Sequence, residues 1–460
     1  MKKTLLFLSF LILPFFAQSQ CWSSVSTGGN HTVAIAADGA LWGWGRNQTG
    51  QLGTGNSTAY NVPTKVGMLQ DWQKISAGNS HCLAIKTNGT LWSWGRNSLG
   101  QLGNGAGGSG VFSNVPIQIG TATDWVFIAA GDEFSTAIKA NGTLWAWGDN
   151  QYGQCGDGTQ INKNVPTQIG TLTNWSKISA GANHSVAIKT DGTLWAWGYN
   201  NSGQLGDGTA VLKTAPIQIG TANNWQTVCA RLFHTVALKA DNSLWTWGSN
   251  STGQLGDGTI IDKNAPQNID ATNTYSLISA GSQHTISKKS TGTIWSWGSN
   301  ISGQMGDGTT VSKSSPTASA SAINNWAFIT SKISHSAALK PDGTLYCWGS
   351  NIYGQVGDGT NANKTAPTLI ICPTLSNQDF NVFDNSFNLY PNPTNGLLNI
   401  EINENSTINK VMITDCFGKI VYNQSKFQSQ IDVFDLSNGM YFIQLFSDNN
   451  TFVRKFVKSN

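Results

Sequence analysis

The sequence predicts an all-β fold built from one unit used seven times, and three observations support this. A segment reading Gly-x-x-His-x-x-Ala-x-Lys-x-Asp-Gly-Thr-Leu-Trp-x-Trp-Gly, continued by Asn-x-x-Gly-Gln-Leu-Gly-Asp-Gly-Thr, recurs with small variations. Its aromatic anchor falls at Trp42, Trp92, Trp145, Trp195, Trp245, Trp295 and Tyr346, in steps of 50, 53, 50, 50, 50 and 51 residues. A period of roughly 20–50 residues means one supersecondary unit stacked on copies of itself, as in a solenoid or a propeller. Third, no stretch carries helical apolar spacing with caps, whereas short runs bounded by turn residues recur throughout.

Each unit supplies four strand candidates. In the fourth they are Trp175 to Ser179, His184 to Lys189 and Leu194 to Gly198, with Pro166 to Ile169 of the preceding unit showing the form of the last. Asp191-Gly192 joins the second and third, and Asp-Gly between alternating runs predicts a two-residue hairpin with positive φ. Asp38-Gly39, Asn88-Gly89, Asn141-Gly142, Thr291-Gly292 and Asp342-Gly343 repeat it, and Asp241-Asn242 alone lacks glycine. Alternation along a strand puts Trp195 and Trp197 on one side and Leu194 and Ala196 on the other. Large faces opposed to small ones suit sheets packed face to face. A buried indole removes ~150–250 Å² from water, a gross ~4–6 kcal/mol at ~25 cal/mol/Å², so the 19 tryptophans, all before residue 349, are expected in the core.

The blocks Val25-Ser26-Thr27-Gly28-x-x-His31-Thr32-Val33-Ala34-Ile35 and Ile178-Ser179-Ala180-Gly181-x-x-His184-Ser185-Val186-Ala187-Ile188, with Trp197-Gly198 through Asn200 to Gly206, carry a resemblance. They are similar to the regulator of chromosome condensation repeat family over residues 21–371. The resemblance implies a seven-bladed β-propeller of four-stranded blades. It also implies either guanine-nucleotide exchange on a nuclear GTPase or a generic interaction scaffold. A secreted relative that inhibits β-lactamases through an aromatic-rich face suggests an inhibitor role as a further alternative.

The ends differ from the repeats. Residues 1–19 have the form of a signal peptide: Lys2 and Lys3, an apolar run from Leu5 to Phe16, then Ala17-Gln18-Ser19. That run is too short to span a membrane, and no other span is expected. Residues 372–386 form a polar linker, and 387–460 carry short alternating strands expected to make a small β-sandwich. Tyr390-Pro391-Asn392-Pro393, Gly439-Met440-Tyr441 and the basic last strand resemble the type A sorting domain of the type IX secretion system. This implies recognition by that machinery, then release or attachment at the cell surface.

A net charge of +3 with only 11% charged residues shows no basic stripe, which argues against nucleic acid as a partner. The cysteines have no Cys-x-x-Cys spacing. Cys82, Cys155, Cys229 and Cys347 are expected as small buried filler. Cys21 and Cys372 bracket the propeller and could form a clasp in an oxidising compartment.

Six histidines, His31, His81, His184, His234, His284 and His335, share one repeat position, and Phe134 takes it in the third unit. One residue per blade cannot converge on an ion, so the histidines are expected to hydrogen-bond backbone between blades. The Asp-Gly pairs at Asp157, Asp207, Asp257, Asp307 and Asp358 lack the spacing of a calcium loop and are expected as turns. Lys163, Lys213, Lys263, Lys313 and Lys364 are expected as solvated side chains. No nucleophile elbow, phosphate loop or distinctive carboxylate pair appears, so neither catalysis, metal nor cofactor is expected.

Function is expected where the repeats disagree, on the face bearing the loops after the first and third strands. Arg46, Arg96, Asp149 and Tyr199 occupy one variable position; Asp132-Glu133-Phe134 and Arg231-Leu232-Phe233 replace ordinary loops, and Tyr152 adds an aromatic. Arginine and aromatics are enriched at interface hot spots. Arg46, Arg96, Asp132, Glu133, Phe134, Asp149, Tyr152, Tyr199, Arg231 and Phe233 are therefore the candidate contacts to a protein or surface glycan.

Overall fold

A computed structural model describes residues 21–320, 323–372, 387–402, 408–415, 420–447 and 451–459. The expected signal peptide at 1–19 and all but residue 372 of the expected linker at 372–386 lie outside these. The chain divides into two compact units, residues 1–372 and 373–460.

The first unit holds seven four-stranded antiparallel sheets, each made of four consecutive strands. In blade 4 these are Trp175–Ala180, His184–Lys189, Leu194–Gly198 and Lys213–Gln218. The first strands of neighbouring blades touch one another around the ring, and Phe328–Ser331 of blade 7 meets Trp22–Thr27 of blade 1. The ring is therefore closed, with first strands innermost.

The hairpin between second and third strands differs from the two-residue form. Lys189 N–H bonds Thr193 O at 3.1 Å and Gly192 N–H bonds Lys189 O at 3.0 Å, leaving three residues in the loop. Only its last residue has positive φ, +78° at Gly192, which is the three-residue turn ending in a left-handed residue. Asn242 takes the same role at +63°. A Cβ on Gly192 would lie 2.1 Å from Asn223 O, so space as well as φ selects glycine there.

Each blade boundary has its own core. Between blades 1 and 2, Val33, Ile35, Leu41 and Val66 meet Trp72, Cys82, Ala84 and Trp94; between 7 and 1, Ala337, Leu345, Val356 and Ile370 meet Trp22, Val25 and Trp44. The aromatic side of one sheet thus packs on the aliphatic side of the sheet before it. Within a blade the first-strand tryptophan sits against both members of the Trp-x-Trp pair, as Trp175 does with Trp195 at 5.9 Å and Trp197 at 6.0 Å.

A buried indole usually finds a partner for its N–H; among the described residues the first-strand Trp22, Trp72, Trp125, Trp175 and Trp225 do not, whereas the second tryptophan of each Trp-x-Trp pair does. Trp197 Nε1 donates to Gln154 O of the preceding blade at 2.9 Å, and Ser185 Oγ donates to the same carbonyl at 2.8 Å. The pattern runs round the ring to Trp44 Nε1 and Thr32 Oγ1, which meet Gln355 O at 3.0 and 2.8 Å. Each histidine then reaches the next blade's hydroxyl: His184 Nε2 to Thr235 at 3.1 Å, and His335 Nε2 to Thr32 at 3.0 Å across the closing seam. His31 meets the Cys82 thiol instead, at 3.2 Å. The histidine partner is thus a side chain rather than backbone. Because the hydroxyl proton goes to the glutamine carbonyl, Nε2 carries the histidine proton. Burial holds all six well below the usual value, at about 3.

No strand is shared between blades 1 and 7, so the seam is held by side chains, by backbone bonds such as Gly359 N–H to Asn61 O at 2.8 Å and Trp22 N–H to Gly343 O at 3.2 Å, and by one covalent link. Cys21 and Cys372 form a disulfide with Cα atoms 6.0 Å apart, closing a 351-residue span.

In the second unit, Phe387–Tyr390, Leu397–Ile402 and Gln430–Asp432 form one sheet, and Ile420–Gln424, Ile408–Asp415, Gly439–Ser447 and Thr451–Lys458 another. Leu398, Ile400 and Ile431 of the first share a core with Val411, Ile413, Ile443 and Phe456 of the second.

Two outcomes follow from the ring. Cys21→Ser should destabilise the propeller by up to about 5 kcal/mol, the entropy of an unfolded loop this long, measured by denaturant unfolding; an unchanged midpoint would refute the clasp's role. Between pH 6.5 and 3 the unfolded chain binds histidine protons that the folded chain refuses, so stability falls as pH falls. The loss should approach about 2 kcal/mol per histidine by pH 5, and His184→Phe, which copies Phe134, should flatten the profile. A pH-independent midpoint between 7 and 5 would contradict this.

Candidate functional site

Lys163, which opens the fourth strand of blade 3, pairs with Gly148, which ends the third. The long loop between them therefore lies on the same side as the loop after the first strand, and together these loops make one variable face. Two positions form its inner circle in every blade. Backbone N–H of the residue after the third strand bonds the carbonyl of the residue before the histidine position, as in Arg96 to Ser80 (2.8 Å), Asp149 to Glu133 (2.9 Å) and Tyr199 to Asn183 (2.8 Å).

The candidate residues fall into three groups on this circle. Arg46 lies over the Tyr353 ring at 5.3 Å, joining blades 1 and 7. Arg96 is 3.1 Å from Glu133, joining blades 2 and 3, and Gln101 Nε2 also donates to Glu133. Burial raises Glu133 to about 7 against the pull of Arg96, with Asp132 and Asp149 adding to the rise. Asp149 is also raised by burial, partly offset by N–H donors from Gln151 and Gln154. Then comes an aromatic row across blades 3 to 5: Tyr152 meets Tyr199 edge-on at 4.8 Å, and Tyr199 meets Phe233 at 5.6 Å.

Two candidates are not surface contacts, and a third is only narrowly open to solvent. Phe134 is 0% exposed, because it fills the histidine slot inside the blade seam. Arg231 is 2% exposed: it replaces the small residue that Gly181 represents and turns into the centre of the ring. There Nη1 lies 2.5 Å from Asp132 Oδ1 of blade 3, a charge pair rather than an aligned hydrogen bond. Asp149 is nearly covered, its carboxylate held by Gln154 Nε2 at 2.9 Å.

Sequence reasoning missed two features. Lys332 stands at the same glycine position in blade 7, where Gly28, Gly78, Gly131, Gly181 and Gly281 serve other blades. Its Nζ crosses to Ala77 O (2.7 Å) in blade 2 and Ala130 O (2.6 Å) in blade 3, and burial beside Arg231 pushes its pKa well down. Aligning the glycine across units would have found it. The second feature is aliphatic. Ile161, Val211, Ile261 and Val311 share one long-loop position in four consecutive blades and all stand exposed, Ile261 at 64%. Ile301 and Ile352 extend the arc.

Four of the five loop lysines, Lys163, Lys213, Lys263 and Lys364, are ion-paired rather than simply solvated. Lys163 meets Asp157 at 2.6 Å, Lys213 meets Asp207 at 3.2 Å, and Lys364 meets Asp358 at 2.5 Å. The same aspartates accept from asparagine and threonine of their own loop, as Asp157 does from Asn150 and Thr159. They tie the loop down. Among the described residues no group of three His, Cys, Asp or Glu could hold a metal, and no helix is long and apolar enough to cross a membrane.

Asp132→Asn should cost about 3–5 kcal/mol, since it strands a buried guanidinium. The double variant Asp132→Asn with Arg231→Gly, which restores the sibling residue, should recover most of that. Thermal unfolding of both variants decides it, and equal stability of single variant and wild type would overturn the account.

Comparison with known proteins matches this architecture. Residues 14–287 match the RCC1-like domain, residues 291–338 and 342–382 match the regulator of chromosome condensation (RCC1) repeat, and residues 388–459 match the secretion system C-terminal sorting domain. The chain is 29% identical over 143 residues to the mitochondrial RCC1 domain-containing protein RUG3 of Arabidopsis thaliana, covering 29% of this chain and 30% of that protein. It is also 29% identical over 128 residues to the RCC2 homolog of Danio rerio, covering 27% and 26%. The match thus spans about a third or less of these relatives' length. Among solved structures, human WBSCR16 superposes with a TM-score of 0.65 at 21% identity, covering 73% of this chain and 95% of that one. Prp20p from Saccharomyces cerevisiae gives 0.63 at 21%, covering 81% and 90%. These share the fold. The sorting tail supports export to the cell surface or secretion, and the chain belongs to the RCC1-like domain family, with a type IX sorting domain following its repeats.

Proposed function

We propose that this protein is a secreted or cell-surface binding module, not a catalyst, and that it recognises a protein through the variable-loop face of blades 3 to 6. One observation carries the reading: exposed aliphatic side chains stand at the same loop position in blades 3, 4, 5 and 6, outside the aromatic row of blades 3 to 5. Exposed apolar surface gathered on one face marks an interaction site. A glycan would call for more polar hydrogen-bonding groups than this arc offers. Prp20p, a structure of the same fold, is described with binding to Gsp1p and histones; partner binding by such a ring is consistent with the present reading, while the identity of that partner does not transfer.

Capture from periplasmic and extracellular fractions tests it. The double variant Val211→Ser with Ile261→Ser should retain about a tenth or less of any partner that the wild type captures, since each removes an exposed apolar anchor. Met68→Ser, on the opposite face, should retain it all. Equal capture by wild type and the double variant would sink the assignment of this face.

A further inference from the structure

We propose that the aromatic row of blades 3 to 5 is a subsite for a cationic side chain, lysine or arginine, presented by a protein partner and seated on Tyr152, Tyr199 and Phe233 against Asp149 and Glu133. This deepens the reading of the variable face and rests on it.

The first argument is charge. Asp132, Glu133 and Asp149 lie within one blade; Glu133 is paired with Arg96 and Asp132 with Arg231, with Lys332 also near Asp132, while among the described residues no ion pair reaches Asp149. Any partner that covers Tyr152 and Tyr199 takes further water from Asp149, which lies in the same turn as Tyr152. Covering a carboxylate without supplying a counter-charge is costly. An apolar or acidic partner is therefore disfavoured here, and a cationic one gains.

The second argument is the molecule's own chemistry. On the opposite face this chain repeatedly seats a lysine between two rings: Lys189 Nζ is 3.5 Å from the Trp195 centroid and 4.9 Å from Trp175, and Lys239 is 3.9 Å from Trp245. Lys139 adds Asp124 at 3.0 Å to the same arrangement. Rings and carboxylate holding an ammonium are a recurrent device of the fold. On the variable face Glu133 already meets Arg96, but among the described residues no cation lies over the Tyr152, Tyr199 or Phe233 ring, and that place is left for a partner's ammonium or guanidinium.

The third argument is an unmade hydrogen bond. In four blades the glutamine that closes the turn after the third strand donates Nε2 to the inner-circle residue of its own blade: Gln154 to Asp149 (2.9 Å), Gln254 to Ser249 (3.3 Å), Gln304 to Ser299 (3.3 Å) and Gln355 to Ser350 (3.3 Å). In blade 4 that residue is Tyr199, and the fully buried Gln204 Nε2 has no hydrogen-bond partner among the described residues. Blade 4 gives up an internal hydrogen bond and presents an aromatic surface in exchange. A buried amide left unpaired costs stability, and the tyrosine that causes it lies at the centre of the row.

Calorimetry of the full secreted chain with the peptide acetyl-Gly-Lys-Gly-Lys-Gly-amide, and with the same peptide Nε-acetylated on both lysines, tests the subsite. The lysine peptide should bind saturably and the acetylated form at least tenfold more weakly. Binding should strengthen from pH 6 to pH 8 as Glu133, faced by Arg96, Asp132 and Asp149, loses its proton. Tyr199→Ser restores the sibling residue and gives Gln204 an acceptor; it should leave the melting temperature equal or higher and weaken the peptide tenfold or more. Asp149→Asn with Glu133→Gln should weaken it similarly. No saturable binding, equal binding of the two peptides, or undiminished binding by Tyr199→Ser would overturn the proposal. Val211→Ser with Ile261→Ser should leave peptide binding unchanged. Partner capture lost in that double variant but retained in Tyr199→Ser would sink this subsite while leaving the broader face assignment standing.

Discussion

At each boundary between blades a glutamine carbonyl oxygen accepts from the indole N–H of the next blade and from a hydroxyl or thiol of the same blade. The rest of the structure depends on this shared acceptor. The indoles that are 0% exposed, Trp44, Trp94, Trp147, Trp197, Trp247, Trp297 and Trp348, all have their N–H satisfied, which lowers the cost of burying them, and the acceptor belongs to the preceding blade. The hydrogen bond that favours burial is therefore also the one that fixes how neighbouring sheets sit. Packing and polar satisfaction are set by the same contact, repeated seven times around a closed ring.

The arrangement explains which residues are free to vary. The carbonyl is backbone, so the glutamine side chain is left for local duty in the turn, and its neighbour in the inner circle can be serine, aspartate, arginine or tyrosine. The glycine three residues before each histidine is different. A Cβ on Gly281 would lie 1.9 Å from the His284 ring, so a larger residue demands a changed loop. At Arg231 the first strand runs on to pair with His234, and Leu232 takes a positive φ of +33°. The loop has been rebuilt to send a guanidinium across the ring, and Lys332 is a second cation at the same position. Two cations near one axis repel each other; Asp132 and the carbonyls of Ala77 and Ala130 offset that.

The fold was legible because its cause is periodic. Trp-x-Trp against Leu-x-Ala states both faces of a sheet in one short run, and repetition makes the stacking unavoidable. What escaped was whatever depends on a contact across the ring. The arginine at 231 and the phenylalanine at 134 look like hot-spot residues in the chain, yet one fills the centre and the other fills a histidine slot. Side-chain type alone does not say whether a loop residue turns inward. The aliphatic arc escaped for the opposite reason: Ile161, Val211, Ile261 and Val311 look like ordinary strand residues, and only the irregular path of the long loop leaves them in solvent. The turn of three residues rather than two was likewise hidden, since Asp-Gly serves both, and one positive φ instead of two decides between them.

Closure sets the last constraint. A ring whose terminal blades each consist of four consecutive strands has no strand spanning its seam, so that seam must hold by the contacts used everywhere else. Trp22, Trp44, Ala337 and Val356 supply the packing, and His335 with Thr32, the Gln355 carbonyl with Trp44 and Thr32, and the Gly359 N–H with Asn61 O supply polar links. Six seams are covalently continuous through the chain; the seventh is not, and Cys21–Cys372 makes it so. Both cysteines lie within the unit that ends at 372, so the ring is complete without any residue of the sorting tail. A propeller closed this way draws every one of its seven blade boundaries from residues 21–372.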